Sequence, residues 1–352
     1  EMSLATAADT APLATVGKAA VSVELLPLFR REINVRTLYV DRLAAYLVVD
    51  AEGKGNWEAL TAGGEQPPAP ESTPPAELPR ISLPQVVITN SLFDYETRGE
   101  VPSRYTLTLR EFVAEDFSME REFPVRISAL ADDHKGLRAD FTARAFVLMD
   151  LPAQAYGVRA LEFNGDIAGI LEQPFTVKIG ANVVANMQQQ KITVSELAVE
   201  AANLALGGRP QPATLRGQLV LDLAADSAAV GPLLFSLGNV NGSLDVKASD
   251  ISKEELAYAG TLDVVPFNAK HLMREMGIEV PKTADAATLT QVGVKTAFNG
   301  GKRQAALENL DIRVDDTHIR GRVAVTDIAL KALAFNLDID AMNLDRYLPP
   351  AS

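Results

Sequence analysis

Leu215-Arg-Gly217-Gln-Leu219-Val-Leu221 is the stretch on which the fold turns. Apolar residues take every second position, which is the alternation of a strand with one dry face and one wet face. The glycine falls on the dry side. The pattern returns as Val240-Asn-Gly242-Ser-Leu244-Asp-Val246, as Tyr258-Ala-Gly260-Thr-Leu262-Asp-Val264 and as Ile319-Arg-Gly321-Arg-Val323-Ala-Val325. A looser copy is Phe163-Asn-Gly165-Asp-Ile167. Upstream of the first copy lie Leu197, Val199 and Ala201. Upstream of the last lie Leu310, Ile312 and Val314, 113 residues further on. Self-similarity of this kind marks a repetitive architecture.

The alternation extends well beyond these copies. Leu223 continues the first run, and Phe335, Leu337 and Ile339 alternate with Asn336, Asp338 and Asp340. Phe123, Val125 and Ile127 behave likewise, as do Phe175, Val177 and Ile179. Such runs predict roughly sixteen to eighteen strands, few of them continuously apolar, which favours antiparallel pairing. Helix signals are confined to Asn268–Met276, followed by Gly277, and to Asp285–Gln291, where Asp285 is placed to cap a first turn. The predicted class is mainly β: a long, curled, antiparallel-rich sheet forming a groove with an apolar interior, plus minor short helices.

A glycine on the dry face removes an inward side chain and marks a bend, a bulge or a close approach. Gly165, Gly217, Gly242, Gly260 and Gly321 are therefore candidate bend positions. Two architectures use such bends. One is a closed sandwich or barrel, with the apolar face as its core. The other is a sheet folded lengthwise into a trough. Its lining would be Leu219, Leu221, Leu223, Leu244, Val246, Leu262, Val264, Leu310, Ile312, Val314, Val323, Val325, Phe335, Leu337 and Ile339. Aromatic residues are only 6% of the chain. A smooth aliphatic lining suits alkyl chains better than sugars or bases, which recruit aromatic platforms.

Composition narrows the function. The 352 residues include 46 acidic and 33 basic side chains, a formal charge of −13, and 47% are hydrophobic. That is ample for a core and lacks the basic stripe that nucleic acid requires. With no cysteine, thiolate metal sites, Cys nucleophiles and disulfides are excluded. No apolar run reaches the ~20 residues of a membrane helix. His134, His271 and His318 share no metal-ligand spacing, and no nucleophile elbow or phosphate loop occurs. His134 and His318 read as turn residues and His271 as helical. Gly53-Lys-Gly55-Asn56-Trp57 reads as a turn closing a strand over Tyr46–Asp50. The carboxylate pairs Asp338/Asp340 and Asp315/Asp316 could suggest acid–base work or calcium, but Asp338 and Asp340 share a face opposite Leu337 and Ile339, as on a solvated sheet surface. The expectation is a protein that is not an enzyme, with no cofactor and no metal. A proline-rich stretch, 61–79, separates an N-terminal segment, 1–60, from the body, 80–352, as a linker or an inserted loop.

Several short stretches, in order along nearly the whole chain, resemble the AsmA family of Gram-negative envelope proteins. They are Leu25-Leu26-Pro27-Leu28-Phe29 with Arg30-Arg31-Glu32-Ile33, Gly53-Lys-Gly55-Asn56-Trp57-Glu58-Ala59-Leu60, Pro266-Phe267-Asn268, and Leu344-Asp345-Arg346-Tyr347-Leu348-Pro349-Pro350. Glu52 stands where the family has Asp. The resemblance implies a periplasmic protein anchored to the inner membrane by an N-terminal helix that this chain lacks. It implies a β-groove related to TamB and to bridge-like lipid transfer proteins, and it makes the chain an excised part of a longer protein. Its implied partners are phospholipid acyl chains and an outer-membrane component, and its implied role is phospholipid transport supporting outer-membrane biogenesis. The alternative is a structural scaffold or assembly factor for outer-membrane proteins with a closed β core.

Overall fold

A computed structural model describes residues 2–4, 13–23, 35–58, 82–119 and 121–350. It is mainly β, with 67% strand and 4% helix. Contacts divide it into two compact units, Glu1–Ile170 and Leu171–Ser352. The first holds β1 (Met2–Leu4), β2 (Ala14–Val23), β3 (Val35–Val49), β4 (Ser82–Thr97), β5 (Ser103–Ser118), β6 (Phe123–Asp132), β7 (Arg138–Asp150) and β8 (Ala155–Ala168). The second holds β9 (Phe175–Asn186), β10 (Lys191–Leu204), β11 (Gln211–Asp222), β12 (Ser227–Leu237), β13 (Val240–Ser249) and β14 (Ala257–Phe267). It continues with α1 (Ala269–Glu275), β15 (Val292–Gly301), β16 (Ala305–Val314), β17 (Thr317–Asp327) and β18 (Ala332–Ile339). Within each unit every strand pairs with the next, and the sheet is curled and does not close.

All these pairings are antiparallel except β3 with β4, which run parallel. A parallel pair needs a crossover that returns the chain along the length of the strands. The proline-rich stretch falls in this connection and lies outside the described residues, as does Leu25–Ile33. The strands flanking it, β3 and β4, are hydrogen-bonded neighbours.

The hairpins reuse one turn. Asp150, Asn186, Asp222 and Asp327 each end a strand, and each side chain accepts the backbone N–H three residues on, from Ala153, Gln189, Ala225 and Leu330. Four residues on, Gln154, Gln190, Asp226 and Lys331 have φ of 49–53°. Asp and Asn are suited to starting such a turn because they satisfy a backbone donor locally. Leu223 is the first residue of one of these turns and not a strand residue; it is 45% exposed.

Strand interiors are interrupted by single left-handed residues. Ala160, Glu196 and Asn309 have φ of 51–52° and sit at breaks in the pairing register. Such a bulge inserts one residue, reverses the in–out parity and sharpens the local twist. The internal repeat includes this device: Glu196 and Asn309 are 113 residues apart and directly precede Leu197 and Leu310. Those two leucines pair with Gly217 and Gly321.

Core packing is concentrated in the first unit. There Ala114, Phe123 and Val125 are buried against Val86, Phe112, Phe117, Ile127 and Val147.

The helix at Asn268–Met276 forms as Ala269–Glu275. The Asn268 side chain accepts the His271 N–H at its start, and Gly277 follows at φ 70°. Asp285–Gln291 is not helical. Asp285 folds back to accept the Ala287 N–H. The buried Lys270 ammonium draws in the Thr283 and Thr288 hydroxyls and the Ala286 carbonyl. The N–H groups of Leu289, Thr290 and Gln291 go to Asp315, at 2.7, 2.9 and 3.1 Å. A buried cation and a nearby carboxylate thus take the backbone groups that a second helix would have paired internally.

Candidate functional site

The pairing register assembles the dry face of the second unit. Leu219 and Leu221 lie beside Val230 and Ala228 of β12. Leu244 and Val246 oppose Leu262 and Gly260 across β13 and β14, and Val264 opposes Val294. Ile312 and Val314 follow on β16 opposite Val294 and Val292. Leu310 and Ile312 face Gly321 and Ile319. Val323 and Val325 pair with Phe335 and Leu333, while Gly321 and Ile319 pair with Leu337 and Ile339. Apart from Leu223, every lining residue expected from the alternation shares this one apolar surface.

Of these residues only Leu310 is buried, at 4% exposed. Those on β11 to β17 are otherwise half-buried, and Phe335, Leu337 and Ile339 on β18 are exposed. A face sealed under a second layer would have most of its inward side chains fully buried, as interiors pack at crystal-like density. This face retains contact with solvent along its length.

The dry-face glycines are not vacancies. Gly242 pairs with Phe235, Gly260 with Phe298 and Gly165 with Phe141. A Cβ would meet the Phe235 ring at 2.4 Å on Gly242, the Phe298 ring at 2.5 Å on Gly260 and the Phe163 ring at 2.8 Å on Gly165. Gly300, opposite Tyr258, repeats the arrangement. At Gly242 and Gly260 the ring comes from the cross-strand partner, and at Gly165 from Phe163 on the same strand; such a ring covers exposed backbone while the glycine lets the strand bend. Gly217 and Gly321 lie at register breaks, and Gly321 has φ 144° with the Asn336 carbonyl 2.0 Å from where a Cβ would be.

The opposite face is an ion-pair lattice across strands. It includes Arg216–Glu200, Lys295–Asp263, Arg320–Asp311 and Arg322–Glu308 in the second unit, and Arg104–Asp94, Arg110–Asp140, Arg126–Glu115 and Arg144–Glu162 in the first. Apart from Arg104–Asp94, whose carboxylate is buried, these pairs are exposed; they set sidedness and contribute little stability each.

One rim of the second unit is fastened by α1 and the residues around it. The Arg209 N–H donates to the Glu275 carbonyl, and the Gln211 amide to the Glu275 carboxylate. Asn239 donates to the Asn268 carbonyl. Asp315 collects three backbone N–H groups and the Tyr347 hydroxyl, the last at 2.8 Å, while Arg346 binds Asp285 and Asp316. Burial would raise the Asp315 carboxyl, but the Tyr347 hydroxyl and the backbone donors outweigh it and hold it below its usual value. Burial, reinforced by the Asp315 charge, pushes the Tyr347 hydroxyl up to about 12.

Sequence reasoning missed an apolar cavity of about 230 Å³ in the first unit, lined by Phe93, Tyr95, Tyr105, Leu107, Leu137 and Ala139 among others. Its signal was present: Phe93-Asp-Tyr95 and Tyr105-Thr-Leu107 carry the same alternation.

The histidines stay apart. His134 sits in a turn with its Nε2 2.6 Å from the Thr106 hydroxyl. His271 lies on α1. His318 lies on β17, not in the turn, and its Nδ1 is 2.8 Å from Asp311. Among the described residues no three His, Asp or Glu side chains are grouped to hold a metal, and no helix is long and apolar enough to cross a membrane. Gly53–Glu58 forms the expected turn, with Asp50 accepting the Lys54 N–H and Asn56 bridging to Val48 and Tyr46. No family model, no curated protein and no solved structure matches the chain.

Proposed function

We propose that the dry face of the second unit is a binding surface for lipid acyl chains. In the cell it would serve as a lipid-transfer groove of the bacterial envelope. The observation that carries this reading is the half-buried state of Leu219, Leu221, Leu244, Leu262, Ile312 and Val323 on one continuous apolar face. An apolar face of this extent that keeps solvent contact is a docking surface rather than a finished core. Each methylene withdrawn from water contributes ~0.8 kcal/mol, so a tail covering a dozen gains about 10 kcal/mol before ordering costs. No directional bond is needed to hold it, and neighbouring positions are chemically alike, so the tail can slide. The motifs shared with the AsmA family support the same reading and add a periplasmic setting, an inner-membrane anchor and phospholipid as cargo.

Native mass spectrometry and solvent extraction of the purified chain test it. Co-purified phospholipid, and uptake of lipid by the stripped protein, are the expected results. Leu221→Asp and Leu262→Asp should suppress uptake while the protein stays folded. A stripped chain that takes up no lipid, with both variants unfolded, would instead favour a scaffold with a closed apolar core.

A further inference from the structure

One hollow on the dry face of the first unit is left unfilled by the chain's own side chains. Phe93, Leu107, Ala131, Ala139 and Ile167 form a row of register partners across β4 to β8. The two alanines lie opposite one another on β6 and β7, flanked by larger residues on either side. One row along, Phe141 lies opposite Ala129 and stacks on Phe163 with ring centroids 5.1 Å apart, and Ala129 is fully buried. At Ala131 and Ala139 the corresponding space is open, and these alanines are the floor of the cavity of about 230 Å³.

The walls specify what fits. Phe93 and Tyr95 come from β4, Tyr105 stands opposite Tyr95 on β5, and Leu137 comes from the turn before β7. That turn is fixed by Asp133, whose carboxylate accepts the Lys135 and Leu137 N–H groups at 2.8 and 2.9 Å while its own N–H donates to the Leu137 carbonyl. The site is thus built in advance of any ligand, as small-molecule sites usually are. Tyr95 and Tyr105 are 38% and 52% exposed, which leaves ring surface available. The second unit's dry face is aliphatic, whereas three aromatic rings here offer a flat π-system stacking and edge contacts beyond simple area burial. An apolar cavity of ~150 Å³ accepts one benzene ring, so this larger one has room for two fused rings. The charged residues at the cavity, Asp132 and Asp133, are both acids and disfavour an anion.

We propose that this cavity binds an uncharged planar compound of about two fused rings. The ligand lies over the Ala131–Ala139 floor, with its faces and edges against Phe93, Tyr95 and Tyr105. An alkyl tail is the poorer occupant, because it gains area burial without ring–ring contact. The site belongs to the first unit and does not rest on the acyl-binding reading of the second.

The test uses the full chain, stripped of lipid, with naphthol as the probe at neutral pH. Affinity is read by calorimetry, and position by the methyl NMR signals of Ala131 and Ala139. The expected result is single-site binding with ring-current shifts at those two methyls. Ala139→Leu fills the floor and should abolish binding. Tyr105→Leu removes one aromatic wall at a half-exposed position and should weaken binding roughly two- to ten-fold, the range for one aromatic pair. Naphthoate, the anionic analogue, should bind more weakly than naphthol. No binding of naphthol, equal binding of naphthoate, or undiminished binding in a folded Ala139→Leu would overturn the proposal. Equally tight binding of octanol would also overturn it, in favour of an alkyl site. Should Ala139→Leu unfold, the wild-type methyl shifts and Tyr105→Leu decide the question.

Discussion

Gly260 shows how one residue can serve both curvature and packing. A Cβ there would sit 2.0 Å from the Asp245 carbonyl oxygen and 2.5 Å from the Phe298 ring. Neither a neighbouring backbone nor a ring edge in a packed sheet can yield that much space cheaply. Gly260→Ala should therefore destabilise the protein by about 2 kcal/mol, within the range of strained or overpacked substitutions, as read by urea unfolding. Phe298→Leu should cost about 1 kcal/mol by uncovering the Gly260 backbone. If the glycine only relieved a bend and the ring were incidental, Phe298→Leu would leave the midpoint unchanged. The sequence placed this glycine on the dry face. It did not reveal the ring, because Phe298 is 38 residues away and its pairing depends on the intervening excursion.

The rim formed by α1, residues 285–291 and the end of the described chain behaves as one element, and its chemistry makes it sensitive to pH at both extremes. Asp315 has a folded-state value below its ordinary 3.8. Its contribution is complete above that ordinary value and is lost as pH falls through the folded one. Tyr347 is raised from 10.0 to about 12. Its contribution is complete below 10.0 and is lost as pH rises through the folded value. The protection of the Leu289, Thr290 and Gln291 amides, measured relative to the intrinsic exchange rate at each pH, should therefore stay high across the neutral range. It should fall below about pH 4, the carboxylate range, and again on approaching the tyrosinate. Tyr347→Phe should remove the alkaline limb and cost about 1 kcal/mol, the worth of one hydrogen bond to a charged group less the gain of a drier ring. An unchanged alkaline limb in Tyr347→Phe would assign that limb to another group. Here the local sequence was a partial guide. Asn268 and Gly277 announced α1 correctly, since both act on neighbouring residues. Asp285 resembled a helix cap only because its true competitors, Lys270 and Asp315, arrive from elsewhere in the chain.

At the scale of the whole molecule, each unit sorts its chemistry by face: apolar residues on one side, an ion-pair lattice on the other. Leu310, buried, and Leu262, half-buried, allow core and surface to be separated. Leu310→Ala should cost 2–5 kcal/mol, roughly the range for a core leucine. Leu262→Asp should cost less stability and abolish acyl uptake, provided that solvent reaches this position and can hydrate the charge. The reverse ranking in thermal denaturation would mean that the face closes in solution. Adding salt should change stability little, because the wet-face pairs are exposed and individually weak.

Alternation of period two was enough to establish the mainly β class, the dry-face residues and the repeat, because in–out direction along a strand is a property of consecutive residues. The bulges at Glu196 and Asn309, the parallel pairing of β3 with β4 and the rings over the glycines were decided only by the tertiary structure. Each depends on which distant segment lies alongside. That choice is made by the packing and hydrogen bonding of the folded chain as a whole, and no short window of sequence contains it.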